Sequence, residues 1–359
     1  MAELDLLRFV AALAVLAFHY LVAYASVWGD RPAELFPAIA PIAGLGILGV
    51  ELFFMISGFV ILMSAWGRGL GAFARSRLVR LYPAYWLSLA AVVALYGLTG
   101  AAALNPKLSP RDYLVNATMF QRLFNVTDAA GVYWSLWAEI RFYLLIAILV
   151  LVGVTYGRVL AFCGIWLAAA LGAELIGHPL LDEIVMPRYA PYFVAGMALY
   201  LIHKHGGGWL AWIYVAASYV LSVNAALERV HGRIEVAGFK NMPVSDLSVI
   251  LTITLIFAVM ALVALGLIRM RSRATLTALG ATTYPLYLLH STVAVALIPL
   301  LVEDLAPWLV ATITTLAAVA LSYVVYFFAE RPLQRLLKPR RTPRTPTAAV
   351  VQGEKASVP

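Results

Sequence analysis

The sequence predicts an all-α protein, a polytopic transmembrane helical bundle of about ten helices with N and C termini in the cytoplasm. Composition is the first reason: 63% of the 359 residues are hydrophobic and 12% are charged, against roughly 45–50% and 25% in soluble domains. Pattern is the second. Runs near twenty apolar residues recur from end to end, and each crosses about 30 Å of hydrocarbon at about 1.5 Å per residue. The third is the placing of Lys and Arg, which collect in alternate connections.

The first helix is expected from Leu4 to Trp28. Acidic Glu3 and Asp5 take the place of the basic start of a signal peptide, so this span is read as retained. A second runs from Gly44 to Trp66, where Ser57 beside Gly58 lets another backbone approach closely. Arg75, Arg77 and Arg80 fill the next connection, and a third helix is expected from Pro83 to Ala101. The stretch from Asn105 to Ala130 mixes Arg111, Asp112 and Arg122 with apolar residues and fits a surface or re-entrant segment. Further helices are expected at Gly131 to Val154, Arg158 to Ile176, Arg188 to Ile202, Trp209 to Asn224, Leu247 to Ile268, Leu279 to Leu301 and Pro307 to Ala329.

Counted over alternate connections, sixteen Lys and Arg stand on the side of both termini and seven on the other, which puts the termini in the cytoplasm. The net charge of +8 is then mainly a topology signal. It points to membrane lipids rather than nucleic acid, with the basic tail from Arg331 to Arg344 on anionic headgroups. Residues 1–333 read as one transmembrane domain and 334–359 as a basic, disordered cytoplasmic tail. The single cysteine, Cys163, permits no internal disulfide and reads as a small core residue.

An ionisable side chain near the bilayer centre costs about 2.5–3.5 kcal/mol, so each one is a functional candidate. His19, Glu51, Glu139 and His290 stand out. By counting residues they lie about 8, 10, 12 and 14 Å below the outer face, on four helices, which suggests a shared polar cavity. Two imidazoles beside two carboxylates suit general base catalysis near neutral pH. Arg8 is eleven steps of about 100° from His19 and so shares its face. Arg77 and Arg80, three apart, share a face if helical and grip one anion together. Ser57 lies about 10 Å deeper than His19 and is read as a packing or donor-site residue. His203 and His205 have no third ligand in view, and no metal is expected.

Taken in order, these segments resemble the acyltransferase 3 family of membrane-bound acyltransferases. The marks are Leu4-Asp5 leading to Arg8 and His19; Gly49-Val50-Glu51-Leu52-Phe53-Phe54 ending in Ser57-Gly58-Phe59; and Arg77 and Arg80 before Leu81-Tyr82-Pro83. They continue with Trp134-Ser135-Leu136, Glu139 and Phe142-Tyr143-Leu144; Tyr284 with Leu286-Tyr287-Leu288-Leu289-His290; and Glu330-Arg331-Pro332-Leu333. Leu6 stands where the family usually has Gly, Ile140 where a second acid is frequent, and Ser291 where Trp commonly follows the histidine.

The resemblance implies transfer of an acyl group, most often acetyl, from cytoplasmic acyl-CoA to a hydroxyl of a glycan, lipid-linked saccharide or small natural product. It places the chain in a bacterial cytoplasmic (inner) membrane. Arg77 and Arg80, with Arg75, are then expected at the donor phosphates, and Ser57 at the donor site. His19, oriented by Glu139 or Glu51, is the expected base or acyl acceptor, with Arg8 stabilising the donor or a developing charge. Glu51, Tyr287 and His290 are expected on the acceptor side. The rival reading is a proton-coupled transporter, which would use buried His and Glu as a relay. It predicts inverted repeats with matching midplane breaks, and the sequence has neither.

Overall fold

The computed structural model describes residues 1–99, 108–236, 244–271 and 274–337. The expected tail lies outside the described residues from 338 onward, as do residues 105–107 of the unassigned stretch. All regular structure among the described residues is helical, and nine helices are long and apolar enough to cross a membrane. The chain begins with α1 (Ala2–Phe18), and α2 (Gly49–Ala65) and α3 (Leu70–Thr99) follow. Next come α4 (Trp134–Val152), α5 (Tyr156–Ile176), α6 (Ala190–His205) and α7 (Trp209–Val236). The chain closes with α8 (Asp246–Ala264), α9 (Ala274–Leu301), α10 (Pro307–Val325) and a short α11 (Arg331–Leu337).

The sixth expected span, Arg188 to Ile202, corresponds to α6, which has only 16 residues and is not among those nine. Every residue from Ala190 to Ile202 is buried, as befits a helix apolar on all sides that forms the core of a bundle. Its closest neighbour is α2. Gly58 and Gly196 make that approach possible, because a Cβ at either would fall on the backbone of the other helix. Gly46 and Gly49 give the start of α2 the same close fit against α1, where Ala14 and Ala11 carbonyls occupy the space of a side chain. The other tight partner of α1 is α9.

Two boundaries differ from expectation in ways that matter for the site. The first span does not run unbroken to Trp28. It ends at Phe18, passes through a π-helical turn at His19–Ala23, and breaks at Tyr24. The third helix starts at Leu70, thirteen residues before Pro83, which sits inside it. Arg75, Arg77 and Arg80 therefore lie on α3 itself and not in a connection. In the stretch without an assignment, Ser109 caps a short helix at Pro110–Asn116 through reciprocal bonds with Asp112.

Candidate active site

One cavity opens between α1, α2, α3, α4 and α9 and is lined by Arg8, Ser57, Arg77, Arg80, Glu139 and Tyr287. These six expected site residues come from five helices, and helical periodicity explains the faces. On α2, Val50, Phe53, Phe54, Ser57 and Ile61 repeat at three- and four-residue steps and present one stripe to the cavity. On α4, Ser135, Glu139 and Tyr143 do the same. Glu139 Oε1 accepts hydrogen bonds from Ser57 Oγ at 3.3 Å and from the Tyr143 hydroxyl. The carboxylate is thereby fixed against α2.

The cationic end of the cavity is built on aromatic faces. Arg77 lies 5.9 Å from the Phe73 ring centre and 5.8 Å from that of Tyr143, and Arg80 lies 5.5 Å from Tyr284. Arg80 also donates to Glu330 Oε1 at 3.2 Å, and Gln334 donates to the same oxygen at 2.7 Å. Glu330 is sealed from solvent. Arg75 is not with them: it points from the opposite face of α3 and donates to the Leu337 carbonyl of α11 at 2.9 Å. Two steps of about 100° from Arg77 put it there, and it does not line the cavity.

The two histidines meet directly. His290 Nε2 lies 3.0 Å from His19 Nδ1, and His290 Nδ1 lies 2.8 Å from the Tyr287 carbonyl. A carbonyl only accepts, so the proton of neutral His290 is on Nδ1, and its Nε2 accepts from His19 Nδ1. The neutral His19 ring consequently keeps its basic lone pair on Nε2. The π-helical turn that begins at His19 places the ring, with Tyr24 packed at 4.9 Å between ring centres. Tyr24 and Ser291 share a hydrogen bond of 2.6 Å, and the Tyr20 hydroxyl donates to the His290 carbonyl at 2.8 Å. Ser291, the departure after the histidine, is thus a partner of the helix break beside His19.

Tyr287 joins the histidines to the cavity. Its carbonyl holds His290, while its side chain lines the cavity and its hydroxyl shares a 2.6 Å hydrogen bond with Ser135. At His19 Nδ1 the partner is His290. Glu139 is held by Ser57 and Tyr143. Glu51, unlike Glu139, does not line that cavity: its Oε1 accepts from Arg229 Nη1 at 2.7 Å, in a second cavity that Trp134 and Tyr189 also line. The reason is angular. Glu51 stands about 100° around α2 from the stripe centred on Val50.

Sequence reading gave no role to Tyr143, Tyr284, Glu330 or Arg229. Tyr143, Tyr284 and Glu330 were visible only as parts of motifs. Arg229 counted as a loop cation because the seventh span was ended at Asn224, whereas α7 continues to Val236.

The fold and cavity define a class, a multi-pass membrane protein with a cationic cavity between its helices; His19 and His290 do not line that cavity, and Tyr287, whose carbonyl bonds to His290, links it to them. The family model described as an acyltransferase domain of the acyltransferase 3 type matches residues 1–327, and the chain belongs to that family. Among curated proteins it is similar to the exopolysaccharide production protein ExoZ of Rhizobium meliloti (strain 1021). The two are 29% identical over 316 residues, which cover 83% of this chain and 92% of the relative. No solved structure matches the chain.

Proposed function

We propose that this acyltransferase moves an acetyl group from acyl-CoA to a hydroxyl of a glycan or lipid-linked saccharide at a bacterial cytoplasmic membrane. The observation that carries the reading is the single cavity that holds Arg8, Arg77 and Arg80 and reaches Tyr287, whose carbonyl holds the histidine pair. Arginine pairs suit the phosphates of coenzyme A, which they grip through several N–H groups at once. The narrow pantetheine arm then runs past Ser57 and Glu139 and presents the thioester to His19. A saccharide acceptor is supported by the printed role of the relative in exopolysaccharide production.

In this reading His19 Nε2 takes the proton of the acceptor hydroxyl as its oxygen attacks the thioester carbonyl carbon. The carbon–sulfur bond breaks, and the leaving thiolate recovers the proton from His19. His290 is a positioning residue that fixes the tautomer of His19, and Arg8 neutralises charge near the donor. The test is acetyl transfer from labelled acetyl-CoA in membranes containing the chain, together with mass spectrometry of glycans and lipid-linked saccharides from cells with and without it. Acylated saccharide that depends on the chain is expected. Identical acylation in both cells, with no transfer in vitro, would overturn the reading.

A further inference from the structure

The second cavity has no part in the donor site, yet it is built from buried charge and half-buried aromatic rings. Glu51, Arg229, Trp134, Tyr189 and Arg188 line it. Glu51 is 1% exposed and Arg229 14%, so the pair has been taken out of water at considerable cost. Arg229 lies 4.6 Å above the Trp134 ring and 5.9 Å from that of Tyr189. Only one N–H of its guanidinium is bonded to another described residue, the one on Glu51 Oε1, and Glu51 Oε2 is buried with no hydrogen-bond partner among them. A native structure rarely leaves such an atom unexplained.

Connectivity puts this cavity at the end of the bundle away from the arginines of α3. Glu51 is near the start of α2, Trp134 begins α4, Tyr189 precedes α6, and Arg229 is near the end of α7. Arg77 and Arg80 lie just beyond the turn that follows the far end of α2. The two cavities approach one another with a thin wall between them. Phe54 lines the first and packs on Trp134 and Tyr189 of the second, at 6.3 and 5.1 Å between ring centres, while adjacent Trp134 and Ser135 face different cavities.

We infer that this second cavity is the acceptor subsite and that its ligand is a saccharide, an assignment that rests on the acyl-transfer reading above. Flat rings flanked by a guanidinium and a carboxylate match a pyranose, whose C–H face packs on aromatic carbon while its hydroxyls exchange hydrogen bonds with the charged groups. Arg229 donates, and Glu51 both holds Arg229 on the ring and offers Oε2 as an acceptor. Donor and acceptor thus enter from opposite ends of the bundle and meet across Tyr287 and Phe54.

The test uses the full chain in lipid nanodiscs, with labelled acetyl-CoA as donor and the lipid-linked saccharide fraction of the source cells as acceptor. Arg229→Met, Glu51→Gln and Tyr189→Leu are expected to raise the apparent KM for the saccharide fraction, the two charge variants by about tenfold or more, the loss of one charged hydrogen bond. The KM for acetyl-CoA and its direct binding should stay within about twofold of wild type. A second measurement does not depend on how well those variants fold. Position 232 lines the same cavity and has open space for a side chain, so Gly232→Cys, in a Cys163→Ala background, is labelled with a maleimide. The saccharide fraction should slow labelling and acetyl-CoA should not. Transfer that proceeds while labelling is unprotected, or KM changes that fall on both substrates alike, would overturn the acceptor assignment and leave the acyltransferase reading standing. Absence of transfer by wild-type protein would strike that reading instead.

Discussion

Two arginine–glutamate pairs stand at opposite ends of the bundle, alike in chemistry and different in exposure. At one end Glu330 is 0% exposed and Arg80 34%. At the other, Glu51 is 1% exposed and Arg229 14%. In both, the acid is the sealed partner and holds the arginine in place. Arg80 keeps a third of its surface open and faces a cavity with two further arginines, which suits a highly charged donor. Arg229 is pressed on tryptophan and tyrosine, which suits a neutral ligand with flat apolar faces. Exposure, not the identity of the pair, separates the two ends.

The largest effect should come from neither pair. His19→Gln keeps a polar side chain of similar reach but no base, and acetyl transfer is expected to fall by about 10²–10⁴-fold with acetyl-CoA binding unchanged. Transfer within a few-fold of wild type, at matched protein levels in membranes, would mean that the chemistry is elsewhere. His290→Phe should cost less and should alter the pH profile of kcat, because it removes the group that fixes the proton on His19 Nδ1. An unaltered profile would reduce His290 to packing.

Next in size is donor affinity. Arg77→Ala or Arg80→Ala should each weaken acetyl-CoA binding by about tenfold or more, since a charged hydrogen bond is worth about 1.5–3 kcal/mol. Lys at either position should recover part of it, keeping the charge without the planar fork. Arg75→Ala serves as the contrast: tied to Leu337 outside the cavity, it should leave donor affinity alone. Equal losses at all three positions would turn the pair into a general charge effect.

Exposure also predicts which half of each pair is costlier to remove. Arg80→Met leaves a sealed Glu330 without its cation, and Arg229→Met does the same to Glu51. Each is expected to lose about 3–5 kcal/mol, seen as a lower Tm in detergent. Glu330→Gln and Glu51→Gln should lose less, because the stranded arginine still reaches solvent or an aromatic face. If the glutamate variants fall as far as the arginine variants, the comparison between buried acid and half-open base fails.

The smallest effect lies outside the membrane spans. Ser109 donates to the Asp112 carboxylate through its hydroxyl, at 2.7 Å, and through its backbone N–H, at 2.9 Å, and these bonds hold Asp112 below its ordinary range. A carboxyl lowered on folding adds stability above the ordinary aspartate value of about 4, and that contribution is lost as pH falls through the lowered value. Ser109→Ala should therefore speed amide exchange in residues 110–116 slightly at neutral pH. The difference should narrow in strong acid to what the bond from the Asp112 backbone N–H to Ser109 Oγ alone supplies, and a difference that does not change with pH would show that charge at Asp112 has no part in it.

That the chain lies in a membrane was legible in its residues alone, because hydrophobicity along a helix needs no partner to be read. The sequence also placed ten helices and offered Arg8, Ser57, Arg77, Arg80, Glu139 and Tyr287 as candidates; the shared faces of Arg8 with His19 and of Arg77 with Arg80 follow from counting at about 100° per residue. Counting stops where a helix changes pitch or meets another helix. The π-helical turn at His19 and the bond between His19 and His290, 271 residues apart, belong to tertiary structure, as does the choice of Arg229 as the partner of Glu51. Depth alone grouped Glu51 and Glu139 with the histidines. Which way each carboxylate turned depended on the neighbours that close helix packing brought to its face, and Gly58 and Gly196, by letting α2 and α6 touch, set that packing.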